Sequence, residues 1–305
     1  MLIFFTVLAM NFTQAFITSL VLINLIACSS QVSPIKAWAE FWHPMPQRYV
    51  NTVIQRLTAT GLPMQSLGSV HYAQQTFPLK VVRVQRVAKQ APVCIFAGVH
   101  GNEIAGTEAA LSLIDDLARD SSLYQQTNFA ILPLVNPWGW EHGFRYNYEG
   151  QDIARNFALQ GTQETVLVKQ LLAKESCRLV VDLHEDSQHS GFYLLTYANP
   201  DPSFTPRLVQ QLAKALGVEV AKQVPQGVYQ VAAEDFATNP RPTLSQYARE
   251  QGVEQTYIIE TPMQLALEQR VSIHRKVLDK LLTQLPSHTR HLAPCENRGA
   301  LLETF

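Results

Sequence analysis

The chain has almost no net charge, no basic run, no repeat of fixed period and few cysteines, and each shortage removes a class of function. Its 24 Lys and Arg against 25 Asp and Glu give a formal charge of −1 at pH 7. The basic residues are scattered rather than clustered, which leaves no electrostatic footprint for nucleic acid and excludes that partner. The four cysteines, Cys28, Cys94, Cys177 and Cys295, include no CxxC pair. A thiolate metal site and a cysteine nucleophile are therefore not expected. What the chain does have is 47% apolar residues in 305, enough to bury one large core and form one catalytic-size domain.

Charge is also missing from residues 1–27, where Leu, Ile, Phe, Val and Ala dominate up to LIACSS. A short apolar segment that closes on a small residue and a cysteine resembles the lipobox of bacterial lipoprotein signal peptides. In that reading Cys28 becomes the lipidated first residue and the chain is tethered to the membrane at the periplasmic face of the cell envelope. Two other readings stay open. No Lys or Arg precedes the apolar stretch, and it is long enough to span a bilayer, so it can also be an uncleaved helix or a misassigned start; initiation at Met10 would give ordinary signal length. The expected organisation is a signal or anchor over 1–27, a tether and lead-in over 28–74, and a catalytic domain over 75–305. Cys94 lies in an apolar strand and reads as a small buried side chain. A bridge between Cys177 and Cys295 can form in an oxidising compartment, but nothing in the sequence decides it.

Downstream, short apolar runs alternate with helical periodicity. Strands are expected near 80–87, 92–97, 129–135, 178–183, 192–197 and 255–260. Helices are expected over 107–118, near 162–174, around Leu208, Leu212 and Leu216, and over about 265–285. Continuous apolar strands separated by amphipathic helices imply an α/β fold whose sheet is buried on both faces and is parallel or mixed. Ligands in such sheets bind beyond the carboxyl ends of the strands.

Four of these strand ends carry polar residues. VCIFA leads into GVHGNE with His100 and Glu103, RLVVDL into His184, Glu185 and Asp186, and QTYIIE ends on Glu260. FAILPLV leads to a loop holding Arg145 and Arg155. Two imidazoles and a carboxylate, with a fourth position open to water, make a catalytic zinc site, so His100, Glu103 and His184 are the candidate ligands of one zinc. Glu260 is then the candidate proton acceptor. One arginine suits a developing oxyanion and another a substrate carboxylate. Asp152 and Asp182 are expected to orient neighbours rather than bind metal, Glu185 and Asp186 to support the site or lie at the surface, and His142 and His189 to be loop histidines.

The ordered set HGNE, NPWGWEHGFRYN, DIARNF, VVDLHED and YIIETP resembles the zinc carboxypeptidase family typified by pancreatic carboxypeptidase A, over roughly residues 75–285. The resemblance implies a three-layer α/β/α fold with a mixed, mostly parallel sheet of about eight strands and a single zinc. It assigns His100, Glu103 and His184 to the metal, Glu260 to the water, Arg145 to the scissile carbonyl and Arg155 to the substrate's terminal carboxylate. The chain departs from the family in three places. Ala154 stands where an asparagine usually helps grip that carboxylate, leaving Asn156, after the arginine, as a substrate-binding candidate. The side-chain preference position falls on Ser245, whose small polar side chain argues against a purely hydrophobic pocket. The family's mobile tyrosine has no counterpart near Thr238, with Tyr229 and Tyr247 as candidates to reach the site. The implied activity is hydrolysis of an amide next to a carboxylate-bearing group, on peptides or cell-wall peptides of the envelope. The nearest alternative is an N-acyl amino acid amidohydrolase of the succinylglutamate desuccinylase and aspartoacylase branch. A non-catalytic binding protein on the same fold is the third.

Overall fold

The apolar runs become the middle of one sheet. The computed structural model describes residues 48–284 apart from 159, 198–200, 202 and 239–241. Its strands are β1 (Met64–Tyr72), β2 (Gln75–Val84), β3 (Val93–Ala97), β4 (Phe129–Leu132), β5 (Leu179–Asp186), β6 (Tyr193–Tyr197), β7 (Val228–Val231) and β8 (Gln255–Pro262). They form an eight-stranded sheet in the order β1-β2-β4-β3-β5-β8-β6-β7. The central β4, β3, β5 and β8 are parallel, while β1, β2 and β4 are linked antiparallel and β6 runs antiparallel to β8. All five residues of β3 are buried, as are the first seven of β5. That accounts for their unbroken apolar character, since strands covered on both faces have no solvent side to make polar.

The helices cover both faces of the sheet. Helices α1 (Val50–Ala59), α2 (Ile104–Ala118), α5 (Phe204–Leu216) and α7 (Leu267–Gln284) are linked by mutual contacts; α4 (Gln163–Glu175) packs on β1 and α6 (Leu244–Glu250) on β5, β6 and β8. A short helix, α3 (Pro137–His142), follows β4. The sheet and the helices that pack on it belong to one compact unit, from which Tyr148–Gly150 stand apart.

Two expectations change. The sheet begins before residue 75: β1 pairs antiparallel with β2 from Met64 onward, and α1 packs beside α2. β1 has no clear sequence signal because MQSLGSVHY buries only Val70 and Tyr72 and lacks a strict apolar alternation. The second change concerns cysteine. Cys94 is bonded to Cys177, not an isolated apolar side chain, and Cys177 is therefore not free for Cys295. β3 and β5 are parallel neighbours with Val93 opposite Leu179, which brings the two Cα atoms to 5.8 Å, inside disulfide range. Residues 83 apart in sequence become neighbours only through that pairing. Among the described residues no helix is long and apolar enough to cross a membrane. The segment 1–27, Cys28 and Cys295 lie outside the described residues.

Candidate metal centre

Alternation along three adjacent strands builds the floor of a cavity of about 500 Å³. Asp182, His184 and Asp186 on β5, Ile258 and Glu260 on β8, and Tyr193, Leu195 and Tyr197 on β6 all line it, because residues two apart on a strand point to one side. His100 and Glu103 arrive from the turn between β3 and α2. Gly98 starts that turn at φ +63°, and a Cβ there would meet Thr107 Oγ1 at 2.8 Å, so only glycine fits. The N-terminus of α2 is capped from another strand: Ala105 N–H donates to Glu185 at 2.7 Å, while the other Glu185 oxygen is paired with Arg270. Glu185 is thus a buried anchor rather than a surface group, and Glu103, at the N-cap position, is left to face the histidines.

The three predicted ligands converge. His100 Nδ1 lies 2.5 Å from one Glu103 oxygen and His184 Nδ1 2.8 Å from the other. The two Nδ1 atoms are 3.2 Å apart. The outer nitrogens are each held by a carboxylate, His100 Nε2 by Asp152 at 3.1 Å and His184 Nε2 by Asp182 at 2.9 Å. Glu103 also accepts from the Glu185 N–H at 3.0 Å. Two imidazoles presenting the same nitrogen inward, each gripped from behind by a carboxylate, fit the ligand support that a bound zinc requires. Among the described residues this is the one group of His, Cys, Asp and Glu side chains able to hold a metal ion, with ligand atoms within 4.8 Å of one another.

Charge is concentrated here. Burial alone would raise Glu103, but His100 and His184 outweigh it and hold this carboxylate well below its usual range. Burial opposes protonation of His184, yet Asp182 and Glu103 raise its pKa. Glu260 is half-buried and lies opposite His184 in the β5–β8 register. Burial pushes it up to about 8, with His184 pulling down and Glu103, Asp186 and Asp182 pushing further up. A cation at the neighbouring ligands would favour its charged form by direct attraction.

Both arginines reach the cavity. Arg145 donates to Asp152 through Nε at 3.2 Å and Nη2 at 3.0 Å, and to Glu103 at 3.4 Å. Its loop is anchored by Asn136, whose amide donates to the carbonyls of Arg145 and Tyr146. Asn147 adds a second anchor by donating to Tyr72 and Glu164. Arg155 is exposed on the cavity wall and makes no ion pair among the described residues. Ala154, beside it, also lines the wall. Asn156 does not line the cavity; its side chain donates to the Asp152 carbonyl at 2.7 Å. Ser245 is fully buried in α6 behind the lining, where Thr243 stands instead.

Tyr193, Tyr197 and Thr243 also line the cavity, and no motif in the sequence marks them. Tyr193 donates to Asp186 at 2.7 Å, and Thr243 donates to the Tyr197 hydroxyl at 3.0 Å. The i, i+2, i+4 spacing of Tyr193, Leu195 and Tyr197 was the available signal. Tyr229 packs against Tyr193, at 5.6 Å between ring centres, and Tyr247 against Phe157; neither lines the cavity. His142 stacks on Trp138, and His189 pairs with Asp186.

Comparison with known proteins agrees with this geometry. The succinylglutamate desuccinylase/aspartoacylase catalytic domain matches residues 89–258. Carboxypeptidase 2 of Trichophyton rubrum is 33% identical over 109 residues, 34% of this chain and 20% of that protein, so the aligned region spans about a fifth of the relative. A candidate metallopeptidase from Shewanella denitrificans superposes with a TM-score of 0.62 at 24% identity, covering 76% of this chain and 88% of the other. A metallo-carboxypeptidase from Burkholderia cenocepacia gives 0.55 at 20% identity, covering 75% and 66%. These two likenesses establish a shared fold. The family match takes in the β3 turn with His100 and Glu103 and the β5 end with His184, and on it the chain belongs to the succinylglutamate desuccinylase/aspartoacylase catalytic-domain family.

Proposed function

We propose that the protein is a zinc-dependent hydrolase that cleaves an amide bond next to a carboxylate-bearing group, with one zinc per chain. The observation that carries this reading is the placing of Glu260 on the strand beside His184, in one cavity with the His100–Glu103–His184 group, Arg145 and Arg155. When bound, a zinc ion supplies Lewis acidity and lowers the pKa of water in contact with it. Glu260 takes the proton of the attacking water and returns it to the leaving nitrogen. Arg145 stabilises the developing oxyanion, held ready by Asp152. Arg155, free of ion pairs among the described residues, receives the substrate carboxylate.

The substrate class follows from that arginine and from the wall beside it. With Ala154 in place of an amide side chain, the carboxylate loses one charge-assisted hydrogen bond, worth about 1.5–3 kcal/mol. A substrate offering a further polar contact is therefore preferred over a simple C-terminal peptide. Peptides or cell-wall peptides at the periplasmic face of the envelope fit this, with the chain tethered through Cys28. The Cys94–Cys177 bridge supports that location, since such bonds persist in oxidising compartments. The second reading is an N-acyl amino acid amidohydrolase, favoured by the family match. A binding protein without activity would not need Glu260.

The test is a panel of C-terminal peptides, cell-wall peptides and N-acyl amino acids, each with a free or an amidated carboxylate, offered to the zinc-loaded protein. Cleavage confined to free carboxylates is expected. If amidation leaves the rate unchanged, the proposed role of Arg155 and the carboxypeptidase reading fail together.

A further inference from the structure

The turn that carries His100 and the segment that leads to Arg145 are in unusually close contact. A Cβ on Gly101 would fall 1.9 Å from the Gly139 carbonyl carbon, so the two backbones meet with no room for a side chain. Backbone bonds from Val135 N–H to the Ala97 carbonyl and from Asn136 N–H to the Gly98 carbonyl tie the two segments where they leave the sheet. Farther out, where the turn meets α3, a residue outside both joins them.

Arg48 donates through Nε to the Trp140 carbonyl at 3.0 Å and through Nη2 to the Gly101 carbonyl at 3.2 Å. Its guanidinium lies 4.7 Å from the centre of the Trp140 ring. Two residues on, the Val50 N–H donates to Glu141 at 2.8 Å, so the start of α1 is fixed to the same segment. From this geometry we infer that Arg48, from the lead-in ahead of the sheet, is a positioning residue: it clasps the turn that carries His100 and Glu103 to the Trp140 segment and so fixes where two of the three candidate metal ligands stand. A planar fork with donors on two edges can bridge two carbonyls while stacking on an indole; a lysine ammonium cannot do all three.

The inference rests on the metal reading proposed above, and its sign separates it from simpler roles. As a mere nearby cation, Arg48 would repel a dication, and removing it would tighten the metal. As a purely structural residue, its loss would lower the melting temperature and leave the metal affinity of the folded protein unchanged. A positioning role predicts weaker binding, by about 10–100-fold, the range for groups that orient ligands from behind.

The experiment measures the zinc dissociation constant by chelator competition and backbone amide exchange in the metal-free protein, for wild type, Arg48→Met, Arg48→Lys and Arg83→Met. Arg83, paired with Glu175, serves as a control ion pair outside the cavity. Arg48→Met should raise the dissociation constant at least tenfold and speed exchange at the Glu103 and Trp140 amides, which donate to the His100 and Asn136 carbonyls. Arg48→Lys should fall between, and Arg83→Met should match wild type. Should Arg48→Met not fold, Arg48→Lys carries both measurements. Unchanged or tighter zinc binding, or faster exchange spread evenly over the molecule, would overturn the inference. If wild type binds no zinc, the metal reading fails, while the exchange data still judge the clasp.

Discussion

The two ends of strand β5 are held by opposite means. At its start, Cys177 is bonded to Cys94 and the following Leu179, Val180 and Val181 are buried among other apolar side chains. At its end, His184 and Glu185 are buried among Glu103, Asp182 and Arg270, charges that are tolerated only because each has a partner. The first end is held by a covalent bond and apolar packing, neither of which involves the cavity. The second concentrates carboxylates around one cavity, which is costly without a cation and well suited to holding one. A single strand thus serves as scaffold at one end and as reactive edge at the other.

Separate failure of the two ends is the expected behaviour, and the largest effect should be at the reactive edge. Replacing Glu260 with Gln keeps the shape and removes the proposed proton acceptor. Turnover should fall by about 10²–10⁴-fold, the usual contribution of a general base, with zinc retained by elemental analysis and thermal stability equal or higher, because a half-buried carboxylate facing Glu103, Asp182 and Asp186 is gone. Wild-type turnover in that variant would remove Glu260 from its role.

Next is the scaffold. The Cys94→Ser, Cys177→Ser double variant should lose about 2–5 kcal/mol in denaturant unfolding, as expected for opening an internal cross-link, with zinc occupancy unchanged at full folding. Loss of zinc with the bridge would show that the ends are coupled after all.

A smaller effect concerns acid. His274 on α7 is fully buried against Thr261, and burial, with His184 adding to it, lowers its pKa from 6.5 to about 3. The unfolded chain therefore binds a proton between about pH 6.5 and 3 that the native state refuses. Stability contributed by neutral His274 is complete above the unfolded pKa and falls with pH through that window, by about 1.4 kcal/mol per unit. His274→Gln should flatten the acid limb of a stability profile; an identical slope would remove His274 as its source. The smallest change concerns the wall of the cavity. Ala154→Asn should tighten a simple C-terminal peptide by roughly tenfold, or about 1.4 kcal/mol, read as KM with kcat little altered.

Much of the reactive edge was legible before any coordinates. His100, Glu103, His184 and Glu260 each directly follow or end an apolar run, and strand ends in such sheets share one side. Asp182 shares a strand with His184, two residues before it, whereas Asp152 comes from the loop after α3 and reaches His100 only in the fold. The specificity side was less legible. Ser245 and Asn156 sit behind the cavity lining, whereas Tyr197 and Thr243 form part of it, because helix rotation and loop path decide which side chain faces inward.

By itself, then, the sequence determined the α/β class, the run of central strands and which side chains would converge as candidate metal ligands. These follow from local pattern, where burial on two faces makes a strand uniformly apolar and chemistry interrupts it. Only the tertiary structure decided the partner of Cys94, the inclusion of β1 and α1, the capping of α2 by Glu185 and the bridge made by Arg48. Each joins residues far apart in the chain, and the choice depends on strand order and loop contact, which no local pattern encodes.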